Sequence, residues 1–377
     1  MGAESRLMRN ENAKPRLSIR LAGILIIAVM LFAAAEIFSS LAMIYSYRLN
    51  GTLKEDASLL SSVTLVNKAL VNLRLLAPSR RTDQRTVEQL PHGHGMFASD
   101  NVLGWSVVPG RYTMNLKHRV NSYSEWEVLP IKVTINDDRS RWTGVVSNPA
   151  KPNIYIFGDS AVFGWGVNDE QTFACHLQMA RPDYNVKLFA VAGYGLVHNY
   201  LHFLQMKEGI HQKDIVVIGY ADYFDARNVA APSRLRHIDA TLKSQLPGGI
   251  PARAYKSTPR AELRDGDRLT VSLVEQECDV IIDYCRQPDP PQSYLTAVSA
   301  RLINEMGRSA AAQTIVLHID GSKSNPVFSA LDKNIKHVSA LQEDFGYFIR
   351  DSVLDFDTHP GPYWHYAISR KLLSVIQ

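Results

Sequence analysis

The stretch Lys151-Pro-Asn-Ile-Tyr-Ile-Phe-Gly158-Asp159-Ser160-Ala-Val-Phe-Gly164-Trp-Gly166-Val-Asn168-Asp169-Glu-Gln171-Thr-Phe173 decides how the rest of the chain is read. Ile154–Phe157 is a short apolar run with β-branched and aromatic residues, the signature of a strand buried on both faces. Gly158 permits a sharp turn, and Ser160 then stands at the carboxyl end of the strand, where the next helix begins. An exposed hydroxyl there lies beside free backbone N–H groups that can stabilise a developing oxyanion. A serine hydroxyl is a weak nucleophile by itself, so this reading needs a base from elsewhere in the chain.

Outward from this stretch, strands and helices alternate. Val186–Val191, Asp214–Gly219 and Thr314–Ile319 read as further buried strands, and Gln171–Ala180, Leu196–Met206, Tyr294–Ala310 and Ser329–Phe345 as helices. The chain closes with a helix over Pro362–Ile376. This is the rhythm of a doubly wound α/β domain, whose sites gather at the carboxyl ends of the strands. Residues 225–292 break the alternation with Pro-Gly-Gly, Pro-Arg-Ala and Asp-Gly-Asp sequences, and read as an extended flap or hairpin. Residues 96–150 carry strand-like stretches (Trp105–Val108, Arg111–Met114, Ile131–Ile135) between turns at Pro109-Gly110 and Asn136-Asp137-Asp138, a small β-rich preface.

The base comes near the end of the chain, in Leu354-Asp355-Phe356-Asp357-Thr358-His359-Pro360. A carboxylate two residues from a histidine can hold the imidazole tautomer, leaving the other ring nitrogen to take the serine proton. Reach favours Asp357 over Asp355 as that carboxylate. Without the serine motif, the same residues would read only as a turn leading into the last helix.

Taken together, GDSAVFGWGVNDEQTF over 158–173, AGYG over 192–195 and DTHP over 357–360 resemble the sequence blocks of the SGNH/GDSL hydrolase superfamily, over about residues 150–377. The resemblance implies a three-layer α/β/α domain with a flavodoxin-like parallel sheet. It implies Ser160 as nucleophile, His359 as base and Asp357 as triad acid, with the N–H groups of Ser160 and Gly193 as oxyanion donors. The single residue between Asp357 and His359 is similar to the exopolysaccharide O-acetyltransferase branch. One block departs. Where the superfamily has Gly-x-Asn-Asp, this chain has Gly219-Tyr220-Ala221-Asp222, and alanine cannot donate. Asn228 and Arg227 are the two candidates for the missing donor, each with an ordinary loop role as its alternative. Gly166-Val-Asn168-Asp169 spells the motif but falls in the first block, and reads as a coincidence in the loop before the helix at Gln171.

The N-terminal part reads as a membrane tether. Leu21–Tyr45 is almost wholly apolar, with Glu36 its one charge, and exceeds the roughly 20 residues a helix needs to span a bilayer. Arg6, Arg9, Lys14, Arg16 and Arg20 precede it, which places residues 1–20 in the cytoplasm and the rest outside. A cleaved signal peptide ending near Ala33-Ala34-Ala35 is the rival reading. Residues 46–95 then form a stalk (a helix over Leu53–Leu76) and a linker (Pro78–Gly95, with His92 and His94). The expected organisation is thus tail 1–20, transmembrane helix 21–45, stalk and linker 46–95, β-rich part 96–150 and α/β domain 151–377, facing the periplasm from a bacterial inner membrane.

Composition narrows the function. With 377 residues, 46% hydrophobic and a net charge of +4, the chain has ample core and no basic field for nucleic acid. No dinucleotide or phosphate loop is spelled, and no second Cys or His pair completes a zinc site, so no cofactor or metal is expected. Cys278 and Cys285 are either a short disulfide or two thiols, and Cys175 reads as core. His198 and His202 share a helix face without a zinc-protease glutamate and read as surface or packing residues. His365 either shapes the pocket or packs. The expected function is hydrolysis of O-acetyl esters on an exported or cell-surface carbohydrate. O-acetyl transfer to such a polymer, and non-catalytic glycan binding by a retained fold, are the alternatives. Protein partners are not legible.

Overall fold

The computed structural model describes residues 85–88, 95–118, 127–244, 257–265, 267–341, 344 and 359–376, together with Met30. All but Met30 fall in one unit of the chain, Arg81–Gln377. The apolar segment 21–45 apart from Met30, the stalk, His92, His94, Asp355 and Asp357 lie outside the described residues. Among the described residues no helix is long and apolar enough to cross a membrane.

In chain order the strands are β1 (Arg85–Glu88), β2 (Phe97–Asp100), β3 (Gly104–Val107), β4 (Gly110–His118), β5 (Glu127–Ile135), β6 (Asn153–Gly158), β7 (Asn185–Ala190), β8 (Ile215–Ala221), β9 (Ser257–Arg264), β10 (Arg268–Glu275), β11 (Gln313–Asp320) and β12 (Lys336–Ser339). The helices are α1 (Ser160–Phe163), α2 (Phe173–Ala180), α3 (Leu196–Met206), α4 (Phe224–Asn228), α5 (Pro232–Ser244), α6 (Ile282–Cys285), α7 (Gln292–Ser309) and α8 (Pro362–Leu373).

The core is a five-stranded sheet in the order β12-β11-β8-β6-β7. Every pairing in it is parallel. Numbered from β6, this is the 2-1-3-4-5 order of flavodoxin-like sheets, whose switch point lies between the first and third strands. The α/β sheet expected from the sequence is therefore present. Every residue of β8 is buried, as are Ile154–Gly158 of β6, which explains their unbroken apolar character. Helices α2 and α8 pack on each other, and α3, α4 and α7 form a second group. Right-handed crossovers place such groups on opposite faces of the sheet. Helix α7 buries Leu295, Val298, Leu302, Ile303 and Met306, a stripe at helical spacing.

Two expectations are corrected. The segment 329–345, read as a helix, contains β12, whose four residues pair with Ile315–His318 of β11. An edge strand of this length has too few residues to show a period of two, and nearby apolar residues imitate a helical spacing. The supposed linker 78–95 contains β1, which pairs antiparallel with β4.

The β-rich preface is present as β2–β3 and β4–β5. It meets the main sheet through Arg141, whose backbone N–H bonds the Leu188 carbonyl of β7 at 2.8 Å. The 225–292 segment holds α4, α5, α6 and the antiparallel hairpin β9–β10. Cys278 and Cys285 are joined as a disulfide, which resolves the alternative the sequence left open.

Candidate active site

Local packing dictates the turn that carries Ser160. A Cβ on Gly158 would stand 2.4 Å from Val162, and one on Gly219 of β8 would stand equally close at 2.4 Å. Val162 therefore nests over the two strands that flank the switch point, and only glycine at both positions lets α1 descend onto them. Close approach, rather than turn conformation, is what demands glycine at 158. The short helix ends at Gly164 in the left-handed region (φ 87°), a common glycine C-cap.

Asp159 caps α1 by accepting the Ala161 N–H at 3.0 Å. Ser160 opens the helix, where no helical carbonyl reaches its N–H. Ser160 itself is 9% exposed. His359 Nε2 stands 2.7 Å from Ser160 Oγ across 199 residues of chain. Pro362 at the start of α8, preceded by Gly361, fixes where the chain turns from the histidine into that helix. The Trp165 ring lies 6.3 Å from the imidazole, centroid to centroid.

Gly193 adopts φ 86°, and a Cβ there would press within 3.2 Å of the Trp105 ring. The turn bearing it is held by the β-rich preface: Trp105 Nε1 donates to the Ala192 carbonyl at 3.1 Å, and Tyr194 Oη donates to the Trp105 carbonyl at 2.5 Å. The carboxylate of Asp159 is fully buried, and it also accepts from Tyr223 Oη (2.7 Å) and Arg227 Nη1 (3.2 Å). The same Arg227 nitrogen donates to the Tyr194 carbonyl at 2.8 Å, so one guanidinium ties the Ser160 turn to the Gly193 turn. Burial and Asp159 push the Tyr223 phenol far up, so it remains a donor at any working pH.

Asn228, one candidate for the missing donor, is held in the core. It is fully buried, its Nδ2 donates to Ser299 Oγ at 2.9 Å and its Oδ1 accepts the Val197 N–H at 3.2 Å. These bonds engage its oxygen and one of its two amide protons inside the core. Ala221 is buried at the end of β8, and the next residue, Asp222, bonds His318 Nε2 at 3.1 Å and the Ser322 N–H at 2.9 Å. His198 and His365 are packing residues: each is fully buried, accepting the Gly195 and Phe173 N–H groups respectively. Cys175 is buried, its thiol pushed up to about 11 by desolvation. Among the described residues no three His, Cys, Asp or Glu side chains cluster as metal ligands.

Sequence reasoning missed the support beneath the loop that follows Ser160. Arg141 is 1% exposed and pairs with Asp169 at 2.9 Å. It also donates to the carbonyls of Phe163 (2.8 Å), Gly164 (2.8 Å) and Val167 (2.7 Å), which are the loop that follows Ser160. Asn168 accepts the Lys132 N–H of β5 at 2.9 Å. Asn168 and Asp169, set aside as a coincidental motif, thus bind that loop to the preface. No local pattern marks Arg141, because these partners, the Asp169 carboxylate and three backbone carbonyls, lie 22 to 28 positions away.

No family model and no curated protein matches the chain. Solved structures do. A member of the lipolytic G-D-S-L family from Veillonella parvula matches at 10% identity over 59% of this chain and 97% of its own, with a TM-score of 0.32. A psychrotrophic esterase from Pseudoalteromonas matches at 12% identity over 59% and 96%, with a TM-score of 0.31. An acetylxylan esterase from Geobacillus stearothermophilus, in a catalytic-mutant form, matches at 10% identity over 61% and 95%, with a TM-score of 0.30. Likeness this faint carries no functional inference, so the chemistry has to be argued from Ser160, His359 and their surroundings.

Proposed function

We propose that the chain is an SGNH/GDSL-type ester hydrolase acting through an acyl-enzyme on Ser160. The observation that carries this is the 2.7 Å approach of His359 Nε2 to Ser160 Oγ at the switch point of a parallel sheet. As Oγ bonds the ester carbonyl carbon, its proton passes to Nε2. The oxyanion is met by the N–H groups of Ser160 and Gly193. The imidazolium then protonates the departing alcohol, and water or a sugar hydroxyl repeats the sequence to release the acyl group. Asp357, two residues before His359, is the proposed orienting carboxylate.

The proposed substrate is an O-acetyl ester on an exported or cell-surface carbohydrate, and transfer of the acetyl group to such a polymer is the same chemistry with a different acceptor. The Cys278–Cys285 disulfide supports an oxidising, exported location, with Leu21–Tyr45 as the proposed anchor. The buried methyl of Ala221 favours a second reading, a binding protein that kept the fold. Losing one oxyanion donor costs about 10²–10³ in kcat, which would leave a slow enzyme rather than an inert one.

The test is covalent labelling of the full chain with a fluorophosphonate, alongside acetate release from 4-nitrophenyl acetate. Labelling and turnover that both vanish in Ser160→Ala are expected. A folded wild-type protein that neither labels nor turns over would transfer the assignment to the binding reading. Addition of a glycan acceptor separates hydrolysis from transfer.

A further inference from the structure

A concavity opens beside Gly193, lined by Trp105, His198, Arg227, Arg234 and Leu235 among others, and its lining contains no carboxylate among the described residues. Arg227 is neutralised by Asp159. Arg234 is only partly exposed, and among the described residues it has no hydrogen-bond or ion-pair partner. Burial and the charge of Arg227 pull its guanidinium down to about 10. His198 offers no negative charge either, since desolvation and both arginines hold it neutral, down to about 3. A half-buried cation beside a second one, offset by the charge of Asp159, lowers the free energy of whatever anion can reach it.

The wall that carries Arg234 is a fixed structure. Helix α5 is held by the disulfide loop: Leu235 packs with Ala230 and Cys285, Arg236 donates to the Cys285 carbonyl, and the Ser233 N–H bonds Asp289 at 2.8 Å. Ala230, in the lining between α4 and α5, sits in the left-handed region (φ 45°), and Tyr284 Oη bonds its carbonyl at 3.1 Å. A non-glycine residue in that conformation persists only when its surroundings impose it. Arg227, in the pocket lining, is linked by hydrogen bonds to the turn that carries Ser160. Arg227 bonds Asp159, next to Ser160, and the carbonyl of Tyr194, next to Gly193.

We propose that this pocket is a subsite for an anionic group of the substrate, a carboxylate or a phosphate borne by the sugar whose ester Ser160 cleaves, with Arg234 as its principal ligand and Arg227 beside it. This rests on the ester-cleaving reading for the word substrate, and on the pocket alone for the anion. A charge-assisted bond to a guanidinium corresponds to roughly 10- to 100-fold in binding.

The experiment compares acetate release by the full chain from O-acetylated methyl glucoside, methyl glucuronoside and methyl glucoside 6-phosphate. A kcat/KM about tenfold or more higher for a charged sugar than for the neutral one is expected, and which charged sugar leads identifies carboxylate or phosphate as the source. Arg234→Gln should bring that ratio close to one, and Arg234→Lys should restore part of it. A wild-type ratio near one, or a ratio that Arg234→Gln leaves unchanged, overturns the proposal. Calorimetric binding of the non-acetylated sugars to Ser160→Ala, with and without Arg234→Gln, reads the subsite without catalysis. Selective binding of a charged sugar that is lost with Arg234→Gln upholds the subsite even where no ester is cleaved. Equal binding of the neutral sugar overturns it even where esters are cleaved.

Discussion

At the scale of single residues, the site depends on glycines whose reasons differ. Gly158 yields space to Val162, whereas Gly193 combines a left-handed backbone with the edge of the Trp105 indole. Gly193→Ala therefore meets two costs at once. A left-handed conformation costs a non-glycine residue about 1–2 kcal/mol, and the indole, held by its bond to the Ala192 carbonyl, has little room to retreat. The expected outcome is an oxyanion N–H displaced from its place, with kcat for 4-nitrophenyl acetate falling by about 10²-fold, as for loss of one donor. KM should change less than kcat, because the interaction strengthens in the transition state. Unaltered kcat in a folded Gly193→Ala protein would remove Gly193 from the oxyanion hole. The glycine itself was visible in the AGYG block. Its dependence on Trp105 was not, since that contact spans 87 positions and comes from the β-rich preface.

At the scale of elements, long apolar strands and the amphipathic helices α3 and α7 were legible, because burial on both sheet faces or along one helix stripe imposes a composition that local reading detects. Elements defined by their partners escaped. Strand β12 has only four residues, and β1 hides among polar residues and is stabilised by pairing with β4. Arg141 belongs to the same class of invisible determinants. It joins β5, β7 and the loop after Ser160 through one backbone bond, one carboxylate and several carbonyls. Replacing it by Met keeps much of the volume but leaves Asp169 and those carbonyls buried without their donor. Removing one partner from a buried pair typically costs 3–5 kcal/mol. We expect Arg141→Met to lower the urea midpoint accordingly and to reduce esterase activity beyond the loss of folded protein. Activity per folded molecule at the wild-type level would mean that the loop keeps its geometry without the guanidinium. The double variant Arg141→Met/Asp169→Leu should recover stability relative to the single one, since no unpaired charge then remains.

At the scale of the whole molecule, three of the four buried histidines among the described residues, His198, His202 and His365, make stability a function of pH well above the carboxylate range. Desolvation, the leading cause in each case, brings His198 down to about 3, His202 to about 4 and His365 to about 3. The unfolded chain takes up protons on these imidazoles below pH about 6.5, while the folded protein does not. The folded state is accordingly at full advantage above that value and loses ground as pH falls toward 4. Each histidine contributes a slope of about 1.4 kcal/mol per pH unit within that window, hence on the order of 4 kcal/mol per unit for the three. Asp100 and Asp138, held below the usual carboxylate value by hydrogen bonds and cations, reinforce the loss only as pH falls below about 3.8. Asp225 and Asp320, raised by burial, act in the opposite sense, since their protonated forms suit the folded state. Set against a typical total of about 5–15 kcal/mol, the histidine slope is large enough to bring unfolding near pH 5. Urea unfolding followed from pH 7.5 to 5 should show stability steady to about pH 6.5 and then falling steeply. In His365→Asn, whose side-chain carbonyl can still accept the Phe173 N–H, the slope should diminish by about 1.4 kcal/mol per pH unit. A stability profile level down to pH 4 would mean that these imidazoles find protons or partners without unfolding.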